Sequence, residues 1–172
     1  MSTFKTIVAA IDFSGTSDDA VRTASEIARD YSSRVHLVHV VPEPLQQPWS
    51  TDAGGIDVTE LRKAWFEDAE RRLARIASEF SLPERVSQAV IVGPPAGEIT
   101  RYAKEHGADL IVMGTHGYGP VRRFIVGSVA DRVVREASCP VLLVPHRDLR
   151  APNVRREAAF ATAGEPAGQT GV

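Results

Sequence analysis

Short apolar runs alternate along this chain with longer segments whose apolar residues recur every three or four positions. That alternation constrains the fold more tightly than any other feature. Thr6-Ile7-Val8-Ala9-Ala10-Ile11 is apolar at nearly every position, the pattern of a strand buried on both faces. Arg34 to Val41, the region around Val86 to Val92, Ala108 to Met113 and Pro140 to Pro145 read as four further strands. Between them lie helical periodicities. One, from about Thr16 to Tyr31, gathers Ala20, Val21, Ala24, Ile27 and Ala28 on one face, with Ser14, Thr16 or Ser17 to cap its start. A second, from about Val58 to Phe80, repeats Leu61, Trp65, Ala69, Leu73, Ile76 and Phe80. A third opens at Pro94-Pro95 and turns Ile99, Tyr102 and Ala103 inward. A fourth runs from Ser128 to near Ala137 through Val129, Ala130, Val133 and Val134. Strands in strict alternation with helices predict an α/β fold: an open five-stranded parallel sheet with right-handed crossovers and helices on both faces.

A chain of 172 residues is one domain's worth, long enough for a sizeable core. Its net charge of -2 gives no attraction to nucleic acid or to an anionic membrane, so neither is expected as a partner. No apolar run is long enough to span a bilayer, and Met-Ser-Thr-Phe-Lys lacks the plan of a signal peptide. The single cysteine, Cys139, excludes an internal disulfide and reads as a small core residue. These features predict a cytoplasmic protein. The periodic pattern fades after His146, giving a folded domain over 1–146 and an Ala-, Arg- and Gly-rich tail over 147–172 that is expected to be disordered.

The chemistry-bearing stretch lies between the fourth strand and the fourth helix. It reads Gly114, two residues, Gly117, nine residues, Gly127, Ser128. Glycine lets another group approach the backbone closely. A helix start offers free N–H groups and the positive end of a dipole. The combination suits a phosphate, although the spacing is neither Gly-x-Gly-x-x-Gly nor a loop ending in Gly-Lys-Ser/Thr. The residues alone also fit a glycine-rich site of another kind, or a surface turn. In open parallel sheets ligands sit beyond the carboxyl ends of strands, where the winding reverses. If strands one and four are neighbours, Asp12 and Gly114 meet there. Asp12 suits ribose hydroxyls, a Mg2+ ion, or the capping of a helix start. Arg122, Arg123 and His116 lie in the glycine-bounded loop, and the segment from Pro42 to Asp57, with Trp49, has the length of a lid.

The chain resembles the universal stress protein family over about residues 3 to 146. The resemblance rests on Ile7-Val8-Ala9-Ala10-Ile11-Asp12-Phe13-Ser14, Leu37-Val38-His39-Val40, Ala108 through Gly117, Gly127-Ser128-Val129-Ala130 and Cys139 through Pro145, all in order. It implies a sheet ordered 3-2-1-4-5, of the adenine-nucleotide alpha-hydrolase kind. The complete glycine pattern resembles that of the ATP-binding branch, which implies ATP or another adenine nucleotide as ligand, with Mg2+ as a companion. By the same resemblance the nucleotide site comprises Asp12, Val40, Met113, Gly114, His116, Gly117, Gly127, Ser128 and Val129. In that reading Gly114 and Gly117 admit the nucleotide, Gly127 presents its N–H to a phosphate, and the backbone around Val40 meets the adenine. The resemblance also implies a homodimer through Val141 to Val144. The implied role is a nucleotide-dependent stress or signalling protein. A slow ATPase and a nucleotide-free dimeric scaffold are the alternatives. The sequence offers no lysine after the glycines and no Ser-His-Asp arrangement, so catalysis would fall to Asp12 and His116.

Overall fold

The computed structural model describes residues 4–42, 58–81, 83–115 and 126–145. His116, Gly117, Arg122, Arg123, Trp49 and the tail over 147–172 lie outside the described residues. In chain order the elements are β1 (Thr6–Ile11), α1 (Gly15–Tyr31), β2 (Arg34–Val41), α2 (Val58–Ser78), a 3-10 turn (Pro83–Arg85), β3 (Val86–Val92), α3 (Pro95–Glu105), β4 (Leu110–Gly114), α4 (Ser128–Glu136) and β5 (Val141–Val144). The five strands pair in parallel in the order β3-β2-β1-β4-β5, the order that the family resemblance implies.

The continuous apolar character of β1 follows from its central place. Ile7, Ala9 and Ile11 point into one core with Leu37, Val112 and Leu73. Val8 and Ala10 point into the other with Val38, Ile111, Met113, Ile99 and Val133. Successive strand residues face opposite sides, so a strand covered on both sides needs both parities apolar. Helices α1 and α2 serve the first core, and α3 and α4 the second. The buried face of α1 is Ala20, Ala24 and Ala28, whose small side chains let the helix lie close to the sheet.

Local signals set the ends of α1. Ser14 has extended backbone and its Oγ accepts from Ser17 N at 3.3 Å, a cap that contributes about 1 kcal/mol. Ser32 closes the helix in the left-handed region, its N–H bonded to the Ala28 carbonyl. At the sheet's amino end, the Asp109 carboxylate accepts from the amides of Lys5 and Thr6, both at 2.9 Å. It fastens the entry of β1 to the entry of β4.

Three expectations differ in detail. Helix α2 ends at Ser78, and Phe80 enters the core from the turn that follows. Trp65 is 42% exposed and Val134 is 51% exposed, although both share the apolar stripes of their helices. Cys139 is half-buried at the margin of the second core. Among the described residues, no helix is long and apolar enough to cross a membrane.

Candidate functional site

The register of the two central strands builds the site. Ala10 of β1 lies opposite Met113 of β4. Asp12 and Gly114 therefore emerge side by side at the carboxyl edge of the sheet. From there α1 departs to one face and α4 to the other, which opens a crevice between the two connections. A cavity of about 530 Å³ occupies that crevice, within the usual size of a small-molecule site, roughly 300–1,000 Å³. Asp12, Val40, Met113, Gly114, Gly127, Ser128 and Val129 all line it. His116 and Gly117, the other two residues of the expected set, lie outside the described residues.

One wall is apolar, from Val38, Val40, Ile99 and Met113. The opposite side is the head of α4. Gly127 is its N-cap, with backbone extended at φ -62° and ψ 152° and no side chain to cover the first turn. The first helical bond of this end runs from Asp131 N to the Gly127 carbonyl. The amides of Ser128, Val129 and Ala130 precede it and have no acceptor within the helix. Three N–H groups and the positive dipole end thus face a cavity with an apolar floor, a combination suited to a molecule with one flat apolar part and one anionic part.

Two glycines act differently from expectation. The Gly127 N–H donates to the Thr115 carbonyl at 2.8 Å, so it is not the amide a phosphate would meet. Gly127 instead fixes the start of α4 against the end of β4. At Gly114, a Cβ would stand 2.7 Å from Thr16 Cγ2 and 3.1 Å from the Thr16 carbonyl carbon. The missing side chain is required by the first turn of α1 packed against it, apart from any ligand.

Asp12 is half-buried. Its Oδ1 accepts from Ser14 N at 2.9 Å and from Ser14 Oγ at 2.6 Å. The helix-start role that Asp12 also fits is therefore filled by Ser14, which Asp12 holds in place. Oδ2 has no hydrogen bond among the described residues and remains available to a ligand hydroxyl or cation. Among those residues no group of three or more His, Cys, Asp or Glu is arranged around a metal position. A Mg2+ ion here fits only as a companion of a phosphate, with Asp12 as its single carboxylate among the described residues.

His39 lines the cavity and was not singled out in the sequence. Its Nδ1 stands 2.7 Å from the Ile11 carbonyl, so Nδ1 carries the hydrogen that it donates. Burial lowers its pKa, more than the Ile11 bond and the Asp12 charge raise it, which keeps the ring neutral. The ring lies against Phe13 at 4.4 Å between centroids, and the Arg72 guanidinium sits 3.9 Å above the Phe13 ring. Phe13 has φ +63°, a left-handed conformation rare for a bulky residue and often found beside functional sites. The signal for His39 was present: it is a polar residue inside the apolar run of β2.

Comparison with known proteins agrees with this architecture. The model of the universal stress protein family matches residues 3–145. Universal stress protein MJ0531 of Methanocaldococcus jannaschii is 33% identical over 147 residues, covering 82% of each chain. The solved structure of MJ0577, from the same organism, superposes with a TM-score of 0.73 at 28% identity, over 86% of this chain and 99% of that one. A universal stress protein from Archaeoglobus fulgidus, solved in complex with dAMP, gives a TM-score of 0.54 at 25% identity, over 84% and 99%. With the crossing order of its strands, its carboxyl-edge crevice and a match over nearly all of its folded length, this chain belongs to the universal stress protein family.

Proposed function

We propose that the chain binds an adenine nucleotide, ATP foremost, in the crevice between β1 and β4, and that occupancy biases its conformation or its contacts with a partner. One observation carries this reading. Seven residues scattered from Asp12 to Val129, which the family resemblance assigns to a nucleotide site, line a single cavity of suitable volume. The dAMP complex of the Archaeoglobus fulgidus relative supports it. In this reading the adenine lies on the wall of Val38, Val40 and Met113. The ribose reaches Asp12, and the phosphates meet the amides of Ser128, Val129 and Ala130. Micromolar binding requires about 8 kcal/mol. Two or three amides to a charged phosphate contribute on the order of 1.5–3 kcal/mol each, and the buried base supplies the remainder. A ligand shifts a conformational equilibrium only by its difference in affinity for the two states. The family resemblance further supports a homodimer through β5, whose Leu142 is exposed.

Ser128→Pro tests the phosphate contact without breaking the helix. Proline is well tolerated at the first helical position, and the extended Gly127 before it suits a following proline. The variant loses one amide donor and one hydroxyl. Titration calorimetry with ATP should show saturable binding to the native chain, weakened about tenfold or more in the variant. No heat with ATP from folded native protein, or equal affinity in the variant, would overturn the reading.

A further inference from the structure

We propose that the amino end of the sheet carries a second binding site, for the phosphate of a small phosphorylated molecule, in the groove where Arg34 and His36 meet Arg85 and Ser87. The parallel register creates it. Val35 pairs with Val86 and His36 with Ser87. Val35 and Val86 turn toward the core shared with α1 and α2. His36 and Ser87 therefore project from the opposite face, with Arg34 at the start of β2 and Arg85 in the 3-10 turn before β3 at the mouth of the same groove. The groove between them has a volume of about 620 Å³. It lies at the opposite end of β2 from Val40, about 20 Å away at the rise of a strand.

The donors in this groove are oriented and largely unspent. Arg85 Nη1 donates to the Ser32 carbonyl at 2.8 Å, which fixes the guanidinium and leaves its other nitrogens available. Arg34 makes no side-chain hydrogen bond or ion pair among the described residues, and the Ser87 hydroxyl makes none either. His36 Nδ1 is 3.1 Å from the Tyr102 hydroxyl, and Tyr102 is stacked on His106 at 3.8 Å. This fixes the His36 ring. With Nδ1 accepting from Tyr102, Nε2–H is a further donor. Two guanidinium groups, an imidazole and a hydroxyl match the several oxygens of a phosphate better than the two of a carboxylate. Among the described residues, Glu84 is the one acidic residue lining the groove. It provides an acceptor for hydroxyls, and the volume exceeds what a bare phosphate fills. A phosphate ester of a hydroxylated compound meets both conditions.

The test is a titration of the full chain at constant pH, following the His36 and His106 ring signals by NMR. The probes are ribose 5-phosphate, inorganic phosphate and ribose. The expected result is a saturable shift of His36 with ribose 5-phosphate, a weaker response to inorganic phosphate, and none to ribose. The double variant Arg34→Gln/Arg85→Gln, exposed at both positions, should bind about tenfold more weakly or worse. Ser128→Pro should leave the shift unchanged, which separates this site from the carboxyl-edge crevice and from the failure of the nucleotide reading. An unmoved His36, a shift that survives the double variant, or one abolished by Ser128→Pro would overturn the proposal. A stronger response to inorganic phosphate than to the ester would overturn the assignment to an ester.

Discussion

Gly114→Ala separates two reasons for a glycine at the end of β4. If the residue serves only to admit a ligand, alanine should leave the fold unharmed. Gly114 has no positive φ, so an ordinary side chain meets no backbone strain there. Relief of unfolded-state entropy would then stabilise the chain by about 0.4–1 kcal/mol. The structure predicts the opposite. The new Cβ would stand 2.7 Å from Thr16 Cγ2 and 3.1 Å from the Thr16 carbonyl carbon. The methyl group can rotate away, but the carbonyl carbon belongs to the first turn of α1, and Thr16 is buried. Overpacking of this kind costs typically 1–3 kcal/mol. After the entropic offset, the net loss should be about 1–2 kcal/mol, or roughly 2–8 °C in Tm for a domain of this size. Thr16→Ser removes the nearest contact and keeps those to the Thr16 Cβ and carbonyl carbon, both at 3.1 Å. In a double-mutant cycle by urea denaturation, Thr16→Ser should therefore recover part of the loss, with a coupling of at least about 0.5 kcal/mol. A Gly114→Ala chain as stable as the native one, or a cycle that is additive, would refute the packing account. Weaker ATP binding by Gly114→Ala would accordingly report displaced α1 as much as a blocked ligand.

Burial lowers the pKa values of His36 and His39 below the value of about 6.5 in an unfolded chain. Below that pH the unfolded chain takes up protons that the folded one does not, so the stabilisation from neutral histidines is complete above it and lost as pH falls toward the folded values. Urea midpoints should drop between pH 7.5 and 5.5, and His39→Asn should reduce the drop; an unchanged drop in both His36→Asn and His39→Asn would contradict this. Asp109→Ala removes the acceptor of the Lys5 and Thr6 amides and should cost roughly 1–3 kcal/mol in chemical denaturation, whereas a loss below measurement error would show that water replaces the carboxylate. The proposed dimer through β5 should give way to monomer in Leu142→Lys in sedimentation equilibrium without lowering the Tm of the monomer, and a native chain that sediments as monomer, or a mass unaltered by the substitution, would overturn that proposal.

The strands were legible because a buried parallel strand needs apolar residues of both parities, and short runs such as Thr6 to Ile11, bounded by polar residues, have that pattern. Helix faces were less legible. The stripe of α2 correctly held Ala69 and Leu73, whereas Phe80 reaches the core from the turn after the helix. Trp65 lies on the same stripe but remains largely exposed, because periodicity tells which side of a helix is apolar and not how far the underlying sheet extends. Val134 in the short helix α4 illustrates the same limit. The site residues were legible through the resemblance, but the partner of each group was not. That the Gly127 amide belongs to Thr115 and that Gly114 answers to Thr16 are facts of three-dimensional proximity, whereas the bond from Ser14 to Asp12, two residues away, is local. Residues up to about a hundred positions apart decide the first two.

The order of strands has a consequence for how the chain comes into being. The central strand β1 is made early and can join β2 soon after Val41 is added. Its other edge pairs only with β4, beginning at Ile7 opposite Leu110. Translation adds about 5–20 residues per second, so that edge waits roughly 3–14 s for its partner. Throughout that interval an apolar strand destined for the middle of the molecule presents an open row of amides and carbonyls, a template on which neighbouring nascent chains can aggregate.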